Sequence, residues 1–160
     1  MPNPAQPKLA LQVWAWLVLS VIGLFDATLL TVEHFTHRGL PCSFTNGCER
    51  VLTSKYSEVL GVPTAAFGVV FYLIVLFAMI MAITNKQNPS RRLMLGWGSI
   101  GLLSSIILTG LQAFVIRAWC QYCLLSALTS TLIFVVAVWY WRTTIITPVV
   151  SHIENNEEIL

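Results

Sequence analysis

Four stretches of almost unbroken apolar sequence, at about 12–32, 63–84, 93–116 and 120–141, alternate with short polar segments along the 160-residue chain. At a helical rise of ~1.5 Å per residue, each is long enough to cross ~30 Å of hydrocarbon. The first is too long for the apolar region of a secretory leader. It follows a single lysine, Lys8, and runs into Glu33-His34-Phe35-Thr36-His37-Arg38 with no small-residue cleavage site, so it reads as a membrane anchor. The pattern predicts an all-α integral membrane protein, a four-transmembrane-helix bundle forming a single membrane domain over 1–160. A loop and short-helix lid, residues 33–62, joins spans one and two.

Within the lid, Asn46-Gly47 signals a turn that brings Cys42 toward Cys48. After Cys48 the apolar residues Val51, Leu52, Val59 and Leu60 suggest short helical faces lying on the membrane, with Gly61 as the stop and Pro63 opening the second span. The third span carries Gly96, Gly98, Gly101, Ser104, Ser105 and Gly110, small residues that let helices approach closely. A bundle closed by the lid at one end leaves an apolar cavity for a hydrophobic ligand.

Composition sharpens this. Hydrophobic residues make up 56% of the chain and charged residues 10%, with a mean hydropathy of +0.75. A net charge of +2 without a basic cluster excludes nucleic acid as a partner. Lys86, Arg91 and Arg92 in the 85–92 turn mark the cytoplasmic side, joined there by Lys8 and Arg142. Arg38, Arg50, Lys55 and Arg117 fall on the other side, where the acids of the long loop balance its bases. Both termini are then cytoplasmic, and all four cysteines share the opposite face.

Those cysteines form two close pairs. Cys120-Gln121-Tyr122-Cys123 opens the last span, and a spacing of three brings both sulfurs to one helix face, within disulfide reach if the first turn opens slightly. Free amides and the positive dipole end at a helix N-terminus favour a thiolate. Cys42 and Cys48 make the second pair, and together the pairs suggest a relay. Two static disulfides bracing a non-enzymatic tetraspan scaffold are the plainer alternative. Zinc is the other, with His34 and His37 nearby, but the step from Cys42 to Cys48 fits zinc-knuckle spacing poorly.

The order of these motifs resembles the vitamin K epoxide reductase family, in its bacterial branch that makes protein disulfides. The resemblance rests on Cys42-x5-Cys48, the Ser54 that follows, Gly61-Val62-Pro63 leading to Gly68 and Tyr72, and Cys120-x-x-Cys123. Quinone-dependent DsbB oxidases have similar parts in another order, with the Cys-x-x-Cys before the loop pair. The resemblance implies a thiol oxidase that carries electrons from a soluble, thioredoxin-fold, DsbA-like partner through both cysteine pairs to a quinone, ubiquinone or menaquinone. Its setting would be the bacterial inner membrane, with the active site facing the periplasm.

Many bacterial relatives carry that partner fused at the C-terminus. This chain stops at Leu160, eighteen residues beyond Arg142, which implies a separate partner and no fused thioredoxin domain. In the implied relay the partner attacks Cys48, Cys42 is released and attacks Cys120, and Cys123 faces the quinone; Cys42 and Cys48 are interchangeable at this stage. Reduction of a quinone or vitamin K epoxide is the alternative, but the vertebrate enzymes have a tyrosine one turn beyond the Cys-x-x-Cys, where this chain has Ala127. Around the quinone, Ser54 would support the lid, and Phe67, Phe71, Tyr72 and Phe114 would line the cavity. Gln112 would bond a quinone carbonyl or another helix. Asp26, about 10 Å below Glu33 along the helix, would supply protons to the quinone or simply bond a neighbouring Ser or Thr. Arg117 favours the Cys120 thiolate or anchors the helix at the interface.

Overall fold

A computed structural model describes residues 6–36, 47–84 and 90–157. The expected apolar runs are its long helices: α1 (Gln6–Thr36), α3 (Thr64–Thr84), α4 (Arg91–Gly110) and α5 (Gln121–Glu157). The lid contributes a short helix, α2 (Cys48–Leu52), and a two-stranded antiparallel hairpin, β1 (Glu58–Val59) and β2 (Val62–Pro63). Four segments have the length and apolar character to cross a membrane, Leu11–Thr36, Thr64–Met81, Arg92–Ile116 and Gln121–Thr143. The protein is a multi-pass integral membrane bundle with its lid between spans one and two. Trp14, Phe25, Phe77 and Leu103 are exposed on its outside, as side chains solvated by lipid are.

Close packing is concentrated where α1 meets α3 and α5, and where α4 meets α5. The core gathers Trp16, Tyr72, Val75, Met79, Met94, Ile133, Ala137 and Tyr140. Several polar groups within it are paired across helices. The Trp16 indole N–H donates to the Ile133 carbonyl at 2.8 Å, Tyr72 and Thr129 share a hydrogen bond at 3.2 Å, and fully buried Gln12 reaches Thr143 at 3.3 Å. Such bonds matter because lipid offers no replacement partner. Gly23 is needed where Tyr72 crosses α1, since a Cβ there would run into the Tyr72 ring. In α4, Gly98 and Gly101 meet Phe134 and Phe71, whereas Gly96 and Gly110 face open space, so close approach uses only part of the small-residue stripe.

The structure departs from the expected elements in three places. The lid stays helical only to Leu52, and residues 58–63 form a hairpin in place of a second helical face. Leu60 (φ 55°) and Gly61 (φ 78°) both take positive φ, the requirement of a type I′ two-residue turn, so Gly61 turns a hairpin and does not stop a helix. Pro63 ends β2, and α3 begins at Thr64, whose N–H and hydroxyl both bond the Ser57 carbonyl. The third span ends in a π-helical turn, Leu111–Ile116. Last, α5 runs through the polar tail to Glu157.

Candidate functional site

The cysteine pair of the last span sits at the junction of that π-helical turn and α5. Arg117 closes the turn in the left-handed region (φ 54°), where its N–H bonds the Gln112 carbonyl, and the N–H of Ala118 reaches the same oxygen at 3.2 Å. The chain thus reverses within three residues and delivers Cys120 to the residue before α5. There its carbonyl accepts the Leu124 N–H at 3.0 Å, so Cys120 is the helix N-cap and Cys123 lies one turn inward. Both are free thiols, Cys120 fully buried and Cys123 partly so.

Cys120 precedes the membrane-spanning part of α5, and its thiol is drawn down from the usual 9.0 to about 7. The S–H of Cys123, donating to the Cys120 sulfur, is the largest cause. Burial opposes it, the backbone N–H groups of Cys123 and Tyr122 reinforce it, and the Asp26 charge works weakly against it. A sulfur accepting amide hydrogen bonds at a helix N-terminus is a stabilised thiolate and hence a nucleophile.

The lid covers this sulfur. Cys48 opens α2, is 2% exposed and is disulfide-bonded; with Val51 it forms an apolar cluster with Ala118 and Cys120, flanked by Cys123. Gly47 allows that approach, because a Cβ there would lie 2.7 Å and 2.8 Å from the Trp119 carbonyl oxygen and nitrogen. Ser54 ties off α2, its hydroxyl donating to the Val51 carbonyl at 2.8 Å while its own carbonyl accepts from Ser57. A hydrogen bond of 2.9 Å between His34 Nε2 and Glu58 Oε1 fastens the hairpin to the end of α1. Cys42, His37 and Lys86 lie outside the described residues.

Beneath the lid lies a cavity of about 350 Å³. Ser54, Phe67, Phe71, Tyr72, Gln112 and Cys123 all line it, joined by Ala127 and by Ser104, Ser105, Ser126 and Ser130. Phe114 is not brought in; it is 81% exposed on the outer face of the π-helical turn. Asp26 is buried on α1 outside the lining, and neither carboxylate oxygen has a hydrogen-bond partner, so it bonds no neighbouring Ser or Thr. Gln112 is 3% exposed, and its Oε1 accepts the Cys120 backbone N–H at 3.0 Å. That contact was not foreseen, since it depends on the π-helical turn. The serines of α5 gave no sequence signal beyond their spacing. The mostly apolar walls, the few polar side chains and the adjacent thiol suit a hydrophobic molecule.

Fold and site together define an integral membrane thiol-redox protein, with a Cys-x-x-Cys heading a transmembrane helix beneath a disulfide-bearing lid. The model of the vitamin K epoxide reductase family matches residues 14–138, from α1 to the middle of α5. The chain belongs to that family of oxidoreductases, which use quinones.

Proposed function

We propose that the chain is a quinone-dependent thiol oxidase that regenerates a soluble, thioredoxin-fold, DsbA-like partner on the periplasmic side of the bacterial inner membrane. The supporting observation is the stacking of three elements, a disulfide-bonded Cys48 packed on Cys120, and Cys123 beneath it at an apolar cavity. Partner attack falls on Cys42, and Cys48 passes to Cys120. This reverses the order read from the sequence, because Cys48 is buried against its acceptor.

A partner thiolate attacks Cys42 and breaks its bond to Cys48, and the second partner thiol resolves the mixed disulfide, leaving the partner oxidised. The Cys48 thiolate attacks Cys120 of the Cys120–Cys123 disulfide and releases Cys123. Cys42 then attacks Cys48, restoring the lid disulfide and freeing Cys120. A bound quinone would supply an acceptor for two electrons and two protons, against which Cys120 and Cys123 would re-form their bond. Cys123, Tyr72, Phe71, Phe67 and Gln112 would hold it, Ser54 would keep the lid shut, and Asp26 would hold or pass a proton. Ubiquinone and menaquinone both match the cavity chemistry.

The test is anaerobic mixing of the protein with reduced partner and a soluble ubiquinone, following quinone absorbance. Turnover that vanishes in Cys120→Ser and Cys123→Ser supports the relay, and mixed disulfides trapped in Cys42→Ser and Cys48→Ser variants identify the partner-facing sulfur. Absence of turnover with reactive thiols, together with consumption of a quinone epoxide, would move the reading to epoxide reduction.

A further inference from the structure

The head of α5 has a problem that its own sequence does not solve. An N-cap residue needs a partner for its backbone N–H, and in a capping box the third helical residue, Glu or Gln, reaches back to provide it. Here the third helical residue is Cys123, whose S–H is directed to the Cys120 sulfur. Cys120 is fully buried, so an unmet N–H there would have no water to replace the missing partner. The acceptor comes from another element. Gln112, in the π-helical turn, places its Oε1 3.0 Å from the Cys120 nitrogen, and its own carbonyl takes the N–H groups of Arg117 and Ala118.

We propose that Gln112 is a positioning residue for Cys120, its side-chain carbonyl substituting for the missing half of a capping box and so aiming the Cys120 sulfur into the amides of α5 and toward the lid. The inference rests on Cys120 being the exchanging sulfur of the oxidase. It accounts for the π-helical turn, whose wider winding and left-handed closure at Arg117 fold residue 120 back onto residue 112. It also separates two duties at one position. A glutamate or glutamine one turn into α5 would complete the box but would occupy the place of the second redox sulfur.

The readout is the rate of Cys120 alkylation against pH in the detergent-solubilised full chain, with the lid disulfide intact and neither partner nor quinone present. Gln112→Met keeps size and removes the acceptor. It is expected to slow alkylation at pH 7 about tenfold and to move the midpoint to higher pH, the equivalent of one pKa unit. Gln12→Met removes another buried glutamine, at the far end of the bundle, and is expected to leave the profile in place. A Gln112→Met profile that coincides with the parent, or an equal displacement by Gln12→Met, overturns the proposal. If Gln112→Met does not fold, amide hydrogen exchange of Cys120 in the parent decides: protection supports the bond to Gln112, and exchange as fast as a solvent-facing amide sinks it. A normal Cys120 response with no quinone turnover would defeat the oxidase reading alone.

Discussion

At the scale of single residues, the chemistry turns on what favours the thiolate of one sulfur in an apolar place. The Cys120 thiol lies near 7 mainly because Cys123 donates a hydrogen bond to it. A lowered value means that thiolate accumulates as pH rises through about 7, where an ordinary thiol would wait until about 9. Alkylation of Cys120 is therefore expected to reach half its maximal rate near pH 7. Cys123→Ala, which removes the largest favourable cause, is expected to carry the midpoint upward and slow the reaction at pH 7 about tenfold, measured by mass spectrometry of quenched samples. An unchanged midpoint in Cys123→Ala would assign the acidity to the helix amides instead. The meeting of Cys48 with Cys120 and Cys123 was legible, because two close cysteine pairs on one face of so apolar a chain have few other places to lie. The Gln112 contact was not, because which carbonyl meets a backbone N–H depends on the path of the chain between them. Asp26 was legible as a buried carboxylate, but its lack of hydrogen-bond partners is visible only in three dimensions.

At the scale of elements, the lid is held by one close approach and one strained turn. A Cβ at Gly47 would press on the backbone of Trp119, which cannot move without disturbing Cys120 beside it. Gly47→Ala is expected to lift α2, costing about 1–3 kcal/mol as overpacking does. Cys120 should then alkylate faster at saturating pH, while disulfide exchange between the lid and Cys120 slows; faster exchange would show that the seat on Trp119 is not what aligns the pairs. Leu60, fully exposed at positive φ, carries the steric cost of the left-handed region, about 1–2 kcal/mol. Leu60→Asn is expected to raise the midpoint of thermal unfolding, and a drop would mean that the leucine is held by lipid. The long helices were legible because apolar runs of this length have few alternatives in a membrane. The hairpin was not, since Val59-Leu60-Gly61-Val62 places a leucine where asparagine is the usual residue and its apolar positions also fit a helix.

At the scale of the whole molecule, the cavity belongs to no single element. Ala27 and Leu30 of α1, Val51 and Ser54 of the lid, Phe67 and Phe71 of α3, Ser104 of α4, and Cys123 and Ala127 of α5 all reach it, so it exists only when the bundle and lid are assembled. Cys120 lies on the lid side of Cys123, so in the proposed oxidase the two half-reactions would be separated, partner chemistry governed by the lid and quinone chemistry by the space below. Ala127→Phe tests that separation, because it puts a ring into the cavity one helical turn beyond Cys123 while leaving the lid contacts untouched. The quinone KM is expected to rise at least about tenfold, the scale of a few lost apolar contacts. The rate at which reduced partner converts the lid disulfide to free thiols, read in the absence of quinone, is expected to match the parent within about twofold. Were both rates to fall together, the cavity and the lid would be one mechanical unit, with quinone occupancy controlling whether Cys48 can reach Cys120. Were neither to change, the quinone would meet Cys123 from the lipid side of α5, and the cavity would have to be read as packing space alone.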